Sequence, residues 1–138
     1  MTDIPDVRPK TAFDAVADAS PALVVDVRTR AEWAYVGIVD LSAAGTQPVL
    51  IEWQTFPDMT VDPGFGDALA HACPDKETAL YFLCRSGARS LSAAREMAAR
   101  GYTKVFNIAD GFEGPPDDRG HRGNLAGWKA EGLPWRQS

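Results

Sequence analysis

Ala79-Leu80-Tyr81-Phe82-Leu83-Cys84-Arg85-Ser86-Gly87-Ala88-Arg89-Ser90 is the stretch that decides how this chain is read. The apolar run over 79–83 predicts a strand buried on both faces. Residues 90–100 predict a helix, with Leu91, Ala94, Met97 and Ala98 along one face, stopped by Gly101. Between them the chain must curl sharply, and Gly87 removes a side chain where the curl is tightest. Open parallel sheets bind ligands at the carboxyl ends of their strands, where Cys84 stands. Successive amides in such a curl converge on a point, and the helix N-terminus adds partial positive charge. Both favour a thiolate, the nucleophilic form of cysteine. Arg85 and Arg89 add formal charge, and Arg95 and Arg100 follow on the same helix. Free cysteines are commonly inert core residues; the two arginines and the glycine argue for function at Cys84. Cys73 has no such neighbours and reads as structural.

Strand and helix signals alternate along the rest of the chain, which predicts an α/β fold with a mostly parallel sheet. Thr11 and Asp14 have capping-box spacing and open a predicted helix to Ala19, broken by Ser20-Pro21. Residues 23–27 predict a buried strand. Thr29 and Glu32 repeat the capping-box spacing, so a helical turn carrying Trp33 follows. Residues 37–41 and 49–53 predict further strands, and 55–62 a turn-rich loop. Asp62-Pro63 fits an N-cap with proline at the first helical position, for a helix reaching His71. Residues 104–108 predict another strand, closed by Asp110-Gly111. A polar insertion over 114–124, rich in proline and glycine, reads as a surface loop. A last short helix is expected over 125–130. No repeat or domain boundary is visible, so 1–138 reads as one domain with its core over about 11–135.

Length and composition agree. A chain of 138 residues with 45% hydrophobic residues can bury its own core. A net charge of −5 disfavours nucleic acid and anionic membranes as partners. There is no apolar run of spanning length and no signal-peptide pattern at Met1 to Asp6, so a cytoplasmic location is expected. With two cysteines and two histidines (His71 and His121), metal-site chemistry is not expected, nor any cofactor. In a reducing compartment a disulfide between Cys73 and Cys84 is disfavoured.

Loop length bears on the reaction. Cysteine-dependent phosphatases place an arginine after five intervening residues, to clamp phosphate. Here that position is Ser90, and Arg89 comes one residue early. A smaller ring of N–H groups suits a single sulfur atom better than a phosphate.

These residues resemble the rhodanese (sulfurtransferase) family. The likeness rests on Leu23-Val24-Val25-Asp26-Val27-Arg28 with Glu32-Trp33, on Tyr81 to Ser90, on Ala93-Ala94, Gly101-Tyr102 and residues 105–111. Trp128 and Gly132-Leu133-Pro134 look like the family's closing segment. The resemblance implies a doubly wound α/β domain, a central parallel sheet flanked by helices. It implies that Cys84 takes sulfane sulfur from a donor such as thiosulfate and holds it as a persulfide. A thiol or sulfur-carrier protein then accepts it. On this reading the amides of Arg85, Ser86, Gly87, Ala88 and Arg89 hold the persulfide, and the Arg85 and Arg89 side chains attract a small anionic donor. Asp26, Arg28 and Glu32 would form an ion-pair brace. The chain departs from the family in lacking a histidine between Gly37 and Ile38 and a Pro-Gly after them. It also has the insertion Pro115 to Gly123, where Arg119, His121 and Arg122 are the residues to test. Two other functions compete: a regulatory or carrier module without turnover, and a phosphatase or arsenate reductase of related fold.

Overall fold

A computed structural model of the protein describes residues 4–18, 21–55 and 58–137. Its elements run β1 (Asp6–Val7), α1 (Pro9–Ala17), β2 (Ala22–Asp26), α2 (Arg30–Tyr35), β3 (Ile38–Val39) and β4 (Val49–Leu50). A hairpin, β5 (Gln54–Thr55) and β6 (Thr60–Val61), precedes α3 (Phe65–Ala72), β7 (Ala79–Leu83), α4 (Ala88–Ala99), β8 (Val105–Ile108) and β9 (Trp135–Arg136). Five strands form the central sheet in the order β1-β8-β7-β2-β4, with all four pairings parallel. This is the α/β architecture expected, with β7 in the middle.

Side-chain alternation along β2 and β7 divides the interior into two layers. Val25, Leu80 and Phe82 pack towards α3 and α4, with Leu69, Ala93, Ala94 and Met97. Val24, Tyr81 and Leu83 face the other way, towards Ala12 and Val16 of α1 and the fully buried Trp128. Burial on both faces is why these strands read as continuous apolar runs. Cys84 continues the Leu80–Phe82 alternation, so its side chain falls in the α4 layer.

Several boundaries differ from expectation. α1 begins at Pro9, with Arg8 as a cap residue whose side chain makes no capping bond, so Thr11 and Asp14 lie inside the helix. Proline at the first position needs no N–H partner and fixes the start. The expected helix end at Ala19 and break at Ser20 lie outside the described residues, as do Met1 to Asp3 and Phe56-Pro57 of the expected loop. Asp62 does not cap α3; Gly64 does, while the Asp62 carboxylate accepts from the Gly64 amide at 2.8 Å. Thr29 and Glu32 do form a complete capping box on α2. The strand expected over 37–41 shrinks to β3, which pairs antiparallel with β9; that over 49–53 shrinks to β4. Residues 125–127 bend and 128–130 turn, and neither forms a helix. Gly127 sits at φ +100, and a Cβ there would lie 3.0 Å from Asp110 O, Gly111 O and Gly114 N, so the backbone is pressed against its neighbours.

Candidate active site

The strand-turn-helix predicted around Cys84 is tighter than expected. α4 begins at Ala88, with Gly87 as its cap at φ +113. The curl is therefore residues 85–87, and Arg89 and Ser90 belong to the first helical turn. The Gly87 N–H donates to Cys84 Sγ at 3.1 Å. The thiol is 1% exposed, yet it lines a cavity of about 660 Å³ that opens at this end of the sheet. Arg85, Ser86, Ala88 and Arg89 share that lining. The opposite wall comes from α2, through Ala31, Glu32, Tyr35 and Val36, and from the β5–β6 hairpin, through Gln54 and Met59.

The two arginines are not equivalent. Arg85 is exposed and has no ion-pair partner among the described residues. Arg89 forms a two-pronged pair with Glu32, Nη1–Oε1 2.7 Å and Nη2–Oε2 2.9 Å. Both guanidinium groups were expected to attract an incoming anion; in this structure Arg89 also holds a carboxylate, while Arg85 does not. Arg100 is likewise taken, by Glu96 at 2.8 Å and Asp67 at 2.9 Å.

Burial pushes the Glu32 carboxyl up, but hydrogen bonds from Arg89 and Thr29 and the Arg89 charge outweigh it and hold the group at about 2, from 4.5. A carboxyl with a depressed folded-state value stabilises the fold above its unfolded value and ceases to do so as pH falls through the folded one. The pair's contribution is thus complete above about pH 4.5 and lost on the way to pH 2. Glu32→Gln keeps a capping acceptor but not the charge. The stability gap between wild type and this variant, read from urea midpoints at a series of pH values, is expected to close as pH falls from about 5 towards 2.5. A constant gap would contradict the assignment.

Asp26 and Arg28 pair with each other, not with Glu32, so the expected trio divides. Both side chains are 0% exposed, 2.7 Å apart. Arg28 also donates to Gly37 O at 2.7 Å and lies 4.4 Å over the Phe112 ring, where the ring's negative face meets its charge. Among the described residues its Nη1 has no hydrogen-bond partner.

Behind the cysteine is a polar chain that sequence reading missed. Asn107 Nδ2 donates to Asp6 Oδ1 and to Gly87 O, each at 3.1 Å. That fixes its Oδ1 towards Ser90 Oγ, 2.5 Å away. Ser90 Oγ also lies 3.2 Å from Cys84 Sγ and 3.1 Å from Gly87 O. One hydroxyl proton cannot serve three acceptors, and the Asn107 contact is the shortest. The hydroxyl can therefore turn its proton to Asn107 or to the sulfur, one at a time. The signal available was β1, but two residues carry no periodicity.

The loop is buttressed from below. Phe112 N–H donates to Cys84 O at 2.8 Å, and Glu113 and Gly114 N–H donate to Arg85 O at 3.0 and 3.1 Å. Gly111 must be glycine on this geometry: at φ +61, a Cβ would strike Cys84 O and come within 2.7 Å of the Arg85 carbonyl carbon. The insertion beyond it does not line the cavity. Asp117 organises it, accepting from Arg119 N, His121 N and Asn124 Nδ2, each at 2.9 Å. Arg122 ties it back to Gly114 O at 2.6 Å. Cys73 is a buried free thiol, 3.7 Å from Asp75 O.

The chain belongs to the Rhodanese-like domain family, whose model matches residues 9–114, and a central parallel strand ending on a loop-cradled cysteine agrees with that membership. The crystal structure of Rv0390 from M. tuberculosis superposes with a TM-score of 0.87 at 43% identity, covering 99% of this chain and 100% of that one. An uncharacterised protein of Rickettsia conorii is 39% identical over 126 residues, 91% of each chain. A sulfurtransferase of Allochromatium vinosum is 29% identical over 119 residues, 86% of this chain and 82% of its own length. No described helix is long and apolar enough to cross a membrane.

Proposed function

We propose that this protein is a sulfurtransferase working through a persulfide on Cys84. The observation that carries the reading is the position of Cys84 Sγ, at the floor of the cavity and in reach of the Gly87 N–H. The Cys84 thiolate attacks the outer sulfur of a donor such as thiosulfate. The donor's S–S bond breaks, and sulfite leaves with its electron pair. The outer sulfur, now bonded to Sγ, carries the negative charge and is held by amides of residues 85–89 and the helix N-terminus. A nucleophilic acceptor then attacks that outer sulfur, and Cys84 leaves as thiolate. The acceptor is cyanide in an assay, and a thiol or sulfur-carrier protein in the cytoplasm. No metal or redox partner is needed for this balance.

Phosphate chemistry is less well served. The arginine is one residue early, and its donors are engaged by Glu32. The test is direct: protein supplied with thiosulfate and cyanide is expected to release thiocyanate over many turnovers. Hydrolysis of an aryl phosphate with no thiocyanate would overturn the reading.

A further inference from the structure

We propose that the donor this pocket is shaped for is an organic sulfane-sulfur compound, monoanionic and carrying an apolar body, rather than a small inorganic dianion. The inference rests on the persulfide reading above and deepens it.

Three observations carry it. First, size: a cavity of about 660 Å³ lies within the roughly 300–1,000 Å³ typical of sites for drug-sized ligands. A compact inorganic anion such as thiosulfate fills a small part of it. Second, charge: of the arginine and carboxylate side chains lining the cavity, Glu32 and Arg89 cancel each other in a two-pronged pair, leaving Arg85 as the cation that faces the donor and the Cys84 sulfur. One free guanidinium matches one negative charge. Third, the wall from α2 and the β5–β6 hairpin carries an apolar patch beside Glu32 and Gln54. Ala31, Tyr35, Val36 and Met59 line it, and Tyr35 is 83% exposed there.

Met59 adds an independent sign. It sits at φ +57, a conformation that costs an unbranched L-residue and that glycine takes freely. Its amide bonds Thr55 O at 2.7 Å within the hairpin turn. Strained backbone at the rim of a cavity motivates a role for the side chain it presents. A thioether beside an exposed tyrosine ring makes a surface for an aliphatic or aromatic group.

The step stays balanced. An organic thiosulfonate gives its outer sulfur to the Cys84 thiolate; its S–S bond breaks, a sulfinate leaves with the electron pair, and the same persulfide results.

The test compares methanethiosulfonate with benzenethiosulfonate, two monoanions with the same sulfonyl sulfur linkage that differ in the apolar body. Thiosulfate serves as reference, and thiocyanate release from cyanide is the readout. The wild type is expected to show kcat/KM roughly ten-fold higher for the benzene compound, the scale of one buried apolar side chain. In the double variant Tyr35→Ala/Met59→Gly the ratio of benzene to methane rates is expected to fall about ten-fold. Neither change endangers folding, since Tyr35 is exposed and glycine relieves the strain at position 59. Intrinsic donor reactivity cancels when the two proteins are compared. A ratio of benzene to methane rates that is the same in the wild type and the variant would overturn the proposal. Should thiosulfate turn over with that ratio unchanged, this inference alone fails. Should no donor transfer sulfur, the sulfurtransferase reading fails with it.

Discussion

Cys84→Ser is expected to lower thiocyanate release by roughly a thousand-fold or more, to the level of buffer, with the fold unchanged. Serine is smaller than cysteine by little and keeps an acceptor for the Gly87 N–H, so the curl over residues 85–87 has no reason to move. A hydroxyl, however, cannot take over a sulfur-relay role: an oxygen–sulfur bond is a poor store for sulfane sulfur, and serine is not ionised near neutral pH. Circular dichroism and the thermal midpoint should match the wild type within a few degrees, because no large side chain is lost from the core layer that Cys84 shares with Phe82 and Ala93. Retained turnover in this variant would move the chemistry elsewhere. Cys73 is the alternative thiol, and Cys73→Ser is the matching control.

The second large effect is on stability. Asp26→Ala is expected to cost about 3–5 kcal/mol, measured by urea denaturation, because it leaves the Arg28 charge buried without its counter-ion. Arg28 is 0% exposed, and the carboxylate also receives its backbone amide at 3.0 Å. What would remain is the bond to Gly37 O and the Phe112 ring. That loss is a large part of the stability of an ordinary domain, about 5–15 kcal/mol. The double replacement Asp26→Leu/Arg28→Met removes both charges and is expected to recover much of it, since apolar side chains escape the desolvation that an ion pair suffers. A single variant that loses less than about 1 kcal/mol would show that water reaches Arg28.

Local order around the site was legible because its determinants are adjacent in sequence. The run into Cys84, the glycine at the curl and the helix α4 all lie within one stretch, and the Thr29–Glu32 spacing formed its capping box, but the buried face of α4 is Ser90, Ala93, Ala94 and Met97, so Leu91 falls outside it. What escaped was set by distance along the chain. Glu32 and Arg89 are 57 residues apart, so nothing local marks Arg89 as already paired. Asp6 and Asn107 are 101 apart, joined by a two-residue edge strand with no periodicity to read. Tyr35 and Met59 reach the cavity only because α2 and a short hairpin fold over its mouth. The expected helix over 125–130 failed for a readable reason. Gly127 lay in its middle, and the close approach of two carbonyls and an amide demanded it there. The insertion drew attention through its arginines and histidine, yet its cations and ring stand apart from the cavity while its base, at Gly114, supports the loop from below.

The central claim is that sulfur is stored on one named thiol, and intact-protein mass spectrometry reads that storage directly. Incubation with thiosulfate, followed by removal of the donor, is expected to leave the protein heavier by one sulfur atom. Peptide mapping should place it on Cys84, and cyanide should remove it while forming one equivalent of thiocyanate. An unchanged mass, or added sulfur found on Cys73 with Cys84 bare, would contradict the account.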